Sequence, residues 1–114
     1  MENLEEQFVK IEQLINDLRK SESNNEIADL RIDLAGWKAW VGGKLVESEM
    51  AYNRELNQAM ESFQLSAAKA EIQVKAGEIY RVYARVRQLY KDIQTVISAA
   101  RTKLAVLEDE FRNH

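Results

Sequence analysis

From Ile72 onward the chain repeats one pattern. Ile72, Ala76, Ile79, Tyr83, Val86, Tyr90, Ile93, Ile97, Ala100, Leu104, Leu107 and Phe111 alternate spacings of four and three. Residues three and four apart share one face of an α-helix. The spacing therefore predicts a single amphipathic helix over residues 67–112, ~70 Å long at 1.5 Å per residue. In heptad terms Ala76, Tyr83, Tyr90, Ile97, Leu104 and Phe111 form one row and Ile72, Ile79, Val86, Ile93, Ala100 and Leu107 the other. A third row, Val82, Leu89 and Val96, widens the stripe, as in a helix that touches more than one neighbour. A chain of 114 residues has little else with which to cover such a rod. The expected solution is a helical hairpin that pairs with a second copy of itself.

Two earlier segments supply the remaining helices. Leu4, Phe8, Ile11, Ile15 and Leu18 lie on one stripe, with Glu5 and Glu6 near its start and Arg19 and Lys20 at its end, as the helix dipole favours. This predicts a short helix over 1–20. The polar run Ser21-Glu22-Ser23-Asn24-Asn25 competes for backbone hydrogen bonds and reads as a loop. Ile27, Leu30, Leu34, Trp37 and Val41 then open a second helix over 26–64. Its stripe slips at Gly42-Gly43, where Leu45 replaces the expected Lys44, and continues through Tyr52, Leu56, Ala59 and Phe63. The glycine pair is either a kink in one helix or a turn between two. Two glycines cost roughly 2 kcal/mol relative to alanine, and no proline or polar cluster reinforces a stop, which favours one helix. Ser66 is a natural N-cap for the last helix, although a tight reversal near Gln64 without glycine is unusual.

The expected fold is thus all-α, a single helical domain over 1–114: a short N-terminal helix and a long antiparallel hairpin of coiled-coil character, dimerising into a bundle. Composition agrees. There is no proline and there are four glycines, too few turn-formers for a β-sandwich or barrel.

Composition also narrows the chemistry. No cysteine is present and the one histidine is His114, so thiol chemistry and cysteine-ligated metals are excluded. No Glu-x-x-His pair, phosphate-binding glycine loop or dinucleotide fingerprint occurs. No carboxylate falls on these apolar stripes. The expectation is a protein that is not an enzyme and needs no cofactor or metal. The net charge is −3 and no apolar run approaches the ~20 residues that span a bilayer. With an acidic start where a leader would be basic, the expected location is cytoplasmic, without a membrane partner.

Charge is uneven. Residues 1–33 hold nine acids and four bases, whereas residues 69–103 hold three acids and eight bases. Arg81, Arg85, Arg87 and Lys91 are the candidate stripe for nucleic acid or an acidic partner, with Tyr80 nearby for stacking. The competing reading is a solvated face, or one complemented by the acidic first helix. Trp37, Trp40, Tyr52, Tyr83, Tyr90, Leu104 and Phe111 are the candidate interface to a second copy or another protein, because aromatics bury large area with little entropy loss. Packing inside the chain is the competing role for Trp37, Tyr83 and Tyr90.

Two resemblances add to this. Trp40-Val41-Gly42 resembles the signature of the WXG100 family, small acidic helical hairpins that dimerise and are secreted. The family's Tyr-x-x-x-Asp/Glu export signal is missing, because Ala84, Arg87 and Gln94 follow Tyr80, Tyr83 and Tyr90. Across residues 27–112, Leu45-Val46-Glu47, Tyr52-Asn53-Arg54, the stretch from Ala67 to Ala76 and the leucine-rich end from Ile97 to Glu110 are similar to small coiled-coil accessory proteins of tailed phages and prophages. That likeness implies a protein acting in an infected bacterium on a phage component, a replication or recombination factor, or a host defence protein.

Overall fold

The computed structural model describes residues 4–112. It holds four helices, α1 (Leu4–Lys20), α2 (Asn24–Ser62), α3 (Ala67–Lys75) and α4 (Glu78–Arg112), and no strand among the described residues. The fold is all-α, and α2 and α4 contact each other as the arms of a hairpin do. The chain divides into two compact units. One comprises α1, α2 up to Trp40 and α4 from Leu89; the other is Val41–Gln88.

The helix ends are set by short polar side chains. The Ser21 amide donates to the Asp17 carbonyl at 3.1 Å, which ends α1. The Ser23 hydroxyl accepts from the Glu26 amide at 3.4 Å, and its carbonyl accepts from Ile27 at 2.9 Å. Ser23 therefore caps α2, and Asn24 and Asn25, expected in the loop, lie inside the helix. At Gly42-Gly43 α2 continues without a break. Beyond it the stripe is carried by Leu45 and then Ser48. The buried Ser48 hydroxyl is satisfied by the Lys44 carbonyl at 2.8 Å, with the Leu45 carbonyl at 3.1 Å.

The reversal after α2 uses no glycine. Gln64 adopts φ 53°, the left-handed conformation that usually falls to glycine or asparagine after a helix. Ser66 then caps α3, accepting from the Lys69 amide at 3.3 Å.

The helix expected over 67–112 is broken at Ala76-Gly77. The Ala76 amide donates to Gln73 and the Gly77 amide to Val74, three residues back rather than four, and α4 starts at Glu78. The cause lies in what α3 packs against. It turns Ala70 and Val74 onto Ala59 of α2, which leaves Ile72 74% exposed. The expected row of Ile72, Ala76 and Ile79 is thus abandoned for a row of smaller residues. Gly77, a poor helix former, falls where the two registers part.

In the first unit Phe8, Ile11, Ile15 and Leu18 of α1 are buried with Ile27 and Leu34 of α2 and Leu89, Ile93, Val96 and Ala100 of α4. At ~1.5–3 kcal/mol for each large side chain, this core is the main source of stability. The buried seam of α4 is rotated from the one expected. Leu89 and Val96, the third row, are fully inside, whereas Tyr90, Ile97 and Leu104 are half-buried. This part of the stripe is covered within the chain, so no second copy is required to cover it.

Candidate interaction surface

The seven residues expected at an interface are mostly engaged within their own unit. Trp40 meets the buried Phe8 edge-on at 6.4 Å and Trp37 at 5.6 Å. Lys10 stands over the Trp37 ring at 5.5 Å and Lys38 over the Tyr90 ring at 5.7 Å. Leu104 is half-buried. Phe111, the exception, is 83% exposed.

Tyr52 and Tyr83 belong to a cluster in the second unit. Their rings stack at 5.3 Å and 24°, and Tyr80 joins them at 5.4 Å from Tyr52 and 6.3 Å from Tyr83. Two cations close the cluster. Arg87 lies 5.0 Å over the Tyr83 ring and Lys75 5.7 Å over the Tyr80 ring. A hydrogen bond with Tyr83, and secondarily one with Tyr80, holds the Arg87 guanidinium above its ordinary pKa. A hydrogen bond with Glu71 raises Lys75, the two charges being 2.6 Å apart. Both groups are exposed, and solvent screens these contacts.

The expected basic stripe does not form one row. Arg81 pairs with Glu78 at 3.8 Å and Arg87 is held by the tyrosines. Arg81 and Arg85 are one turn apart, but Arg87 lies ~140° round the helix from their mean direction. Lys91 is exposed and belongs to the other unit. Lys103 reaches the loop after α1, contacting the Ser21 carbonyl and pairing with Glu22 at 3.4 Å. One base of the positive stretch thus complements the acidic N-terminal region.

The second unit also carries an open groove. It has a volume of about 450 Å³ and runs along α2 from Ala51 to Ala59 and on to Phe63 just past the helix end, with Val74 of α3 and Ile79 of α4 also in its walls and Arg54, Gln58 and Gln73 as polar lining. A hollow of about 180 Å³ beside it shares Ala51 and Ile79 and adds Ser48 and Val82. Phe63, read as a member of the α2 stripe, is 64% exposed at the groove end, and Ile79 is 40% exposed.

Glu55 lies in the same groove. One of its carboxylate oxygens, Oε2, is shielded from solvent and has no hydrogen-bond partner. Glu55 does not belong to the apolar stripe read from the sequence, whose member here is Leu56. The row Ser48, Tyr52, Glu55, Ala59 also alternates four and three, and Glu55 is hidden in sequence by its neighbour Leu56, which fits equally well.

Among the described residues no group of three His, Cys, Asp or Glu is placed to hold a metal. Among the described residues no helix is long and apolar enough to cross a membrane. No family model, curated protein or solved structure matches the chain.

Proposed function

We propose that this chain is a non-enzymatic helical interaction protein, and that it receives a protein partner on the groove of the Val41–Gln88 unit. One observation carries the reading. Phe63 and Ile79 stand exposed together on the edge of one groove. Large apolar residues gathered at a groove mark an interaction site more often than scattered exposed ones do. Arg81 and Arg85 do not share a row with Arg87, and Lys91 belongs to the other unit, which weighs against a single nucleic-acid stripe. In keeping with the phage resemblance, the partner would be a phage component, a replication factor or a host defence protein.

The test is site-specific photo-crosslinking in the cells that produce the protein. A benzophenone side chain at Phe63 should yield one adduct of discrete mass; the same group at the exposed Gln94 of the other unit should yield none. Equal labelling at both positions, or none at either, would contradict the proposal. An adduct of twice the chain mass would assign the groove to a second copy.

A further inference from the structure

We propose that α3 has two positions on α2, and that it passes between them by rolling about its own axis until it continues α4 as one helix. In the position described above Ala70 and Val74 rest on Ala59. In the second, Ile72 takes their place. At ~100° per residue Ile72 stands on the side of α3 opposite the line between Ala70 and Val74, and midway between them along the axis. A roll of ~200° therefore brings Ile72 to the level of Ala59 without any sliding. The same roll restores the row of Ile72, Ala76 and Ile79 that the break at Gly77 interrupts.

The break is of a kind that can heal. α2 and α3 start at serine hydroxyl caps, whereas α4 starts after Gly77, which has no side chain to cap it. Ala76 keeps a right-handed backbone, φ −80° and ψ −9°, and Gly77 does not take a positive φ. A helical ψ is ~30° away, and two amides need only move from acceptors three residues back to acceptors four back. Opposing terms are balanced on both sides. Val74 on Ala59 and Lys75 over the Tyr80 ring hold the first position. That position leaves Ile72 74% exposed and keeps Gln64, in the link before α3, at the left-handed φ of 53° that side chains disfavour. The groove beside Ala59 gives the larger isoleucine room. Two packings of nearly equal merit are what a switching element requires. Because Val74 is one wall of the groove, the roll rebuilds that wall and so regulates docking there. This consequence rests on the groove being a docking site; the roll itself needs no partner.

The test is disulfide trapping in the full chain, which has no cysteine of its own. A bridge needs Cα atoms within ~7 Å, so Ala59→Cys with Ile72→Cys closes only after a roll. Ala59→Cys with Glu71→Cys faces α2 in neither position and sets the background. Both pairs keep Val74, and helical circular dichroism equal to the parent's shows that each is folded. Under oxidised glutathione, with closure followed by mass, the Ile72→Cys pair should close about tenfold faster than the Glu71→Cys pair. Gly77→Ala favours the continuous helix and should speed the Ile72→Cys pair about fivefold. The added Cβ does not drive α3 out by collision, since it meets only the Val74 carbonyl at 3.4 Å and Glu55 Oε1 at 3.7 Å. Closure of the Ile72→Cys pair no faster than background would overturn the proposal, as would a rate that Gly77→Ala leaves unchanged. Photo-crosslinking at Phe63 reads docking separately. An adduct there without the disulfide would sink the roll and leave docking intact, and the disulfide without an adduct would do the reverse.

Discussion

The two units solve the same problem with different residues. The unit of α1, early α2 and late α4 buries Phe8, four isoleucines and two further leucines besides Leu89, among them Ile11, Ile27, Leu34 and Ile93 at no more than a trace of exposure. Among the described residues of the Val41–Gln88 unit, the buried apolar set is Val41, Ala59, Ala70, Val74 and Val86, nothing larger than valine. Its large side chains sit elsewhere, Tyr52, Tyr80 and Tyr83 half-buried under cations and Phe63, Ile72 and Ile79 in solvent. Both units leave large apolar side chains in solvent, Ile32 and Phe111 on the first and Phe63 and Ile72 on the second, so the difference lies in the size of the buried side chains and in the groove that Phe63 and Ile79 line. Small residues at Ala59 and Ala70 let α3 approach α2 closely, and the same packing opens the groove.

This contrast can be broken by substitution. Ile93→Ala, in the well-filled unit, should cost about 3–4 kcal/mol by chemical denaturation. Val74→Ala, in the small core, should cost about half of that, from the methyl groups lost. Similar values would remove the distinction. Tyr83→Leu should lose roughly 1–2 kcal/mol through the stacking on Tyr52 and the Arg87 contact, whereas Tyr83→Phe, which keeps the ring, should lose less than half as much. Ser66→Ala should cost about 1 kcal/mol by removing the cap of α3, and far-ultraviolet circular dichroism should show the loss on heating before the rest of the chain melts. In the opposite direction, a Cβ at Gly36 or Gly43 meets open space within α2. Gly36→Ala and Gly43→Ala should each stabilise by about 0.5–1 kcal/mol in thermal melts. A loss at Gly43 alone would show that the glycine pair serves a bend.

Much of the well-filled unit was legible in sequence, and much of the other was not. The spacing of Phe8, Ile11, Ile15 and Leu18 names the buried face of α1 directly, because one stripe has one neighbourhood to face. The Ser66 cap was readable for the same reason, since its hydrogen bond is local. The break at Gly77 was not, because Ala76 fills a stripe position and a four-three pattern passes over the glycine without a missing member. Whether Ile72 or Val74 turns inward depends on Ala59 across the hairpin, a long-range fact that periodicity does not hold. Gln64 gives no sign of φ 53°, and Glu55 is masked by Leu56. The tyrosine cluster was partly readable, since Tyr83 and Arg87 are one helical turn apart, but its third ring comes from Tyr52 on the other arm.

Native-state hydrogen exchange, read residue by residue, addresses the division most directly. The amides of α1 and of Leu89 to Ala100 should open solely with global unfolding, while those of α3 should exchange through local opening at clearly lower free energy. Protection across α3 equal to that at Ile93 would mean that the groove-bearing unit is as firmly built as the other. Its exposed Phe63 and Ile79 could then no longer be explained as apolar surface withheld from the core for binding.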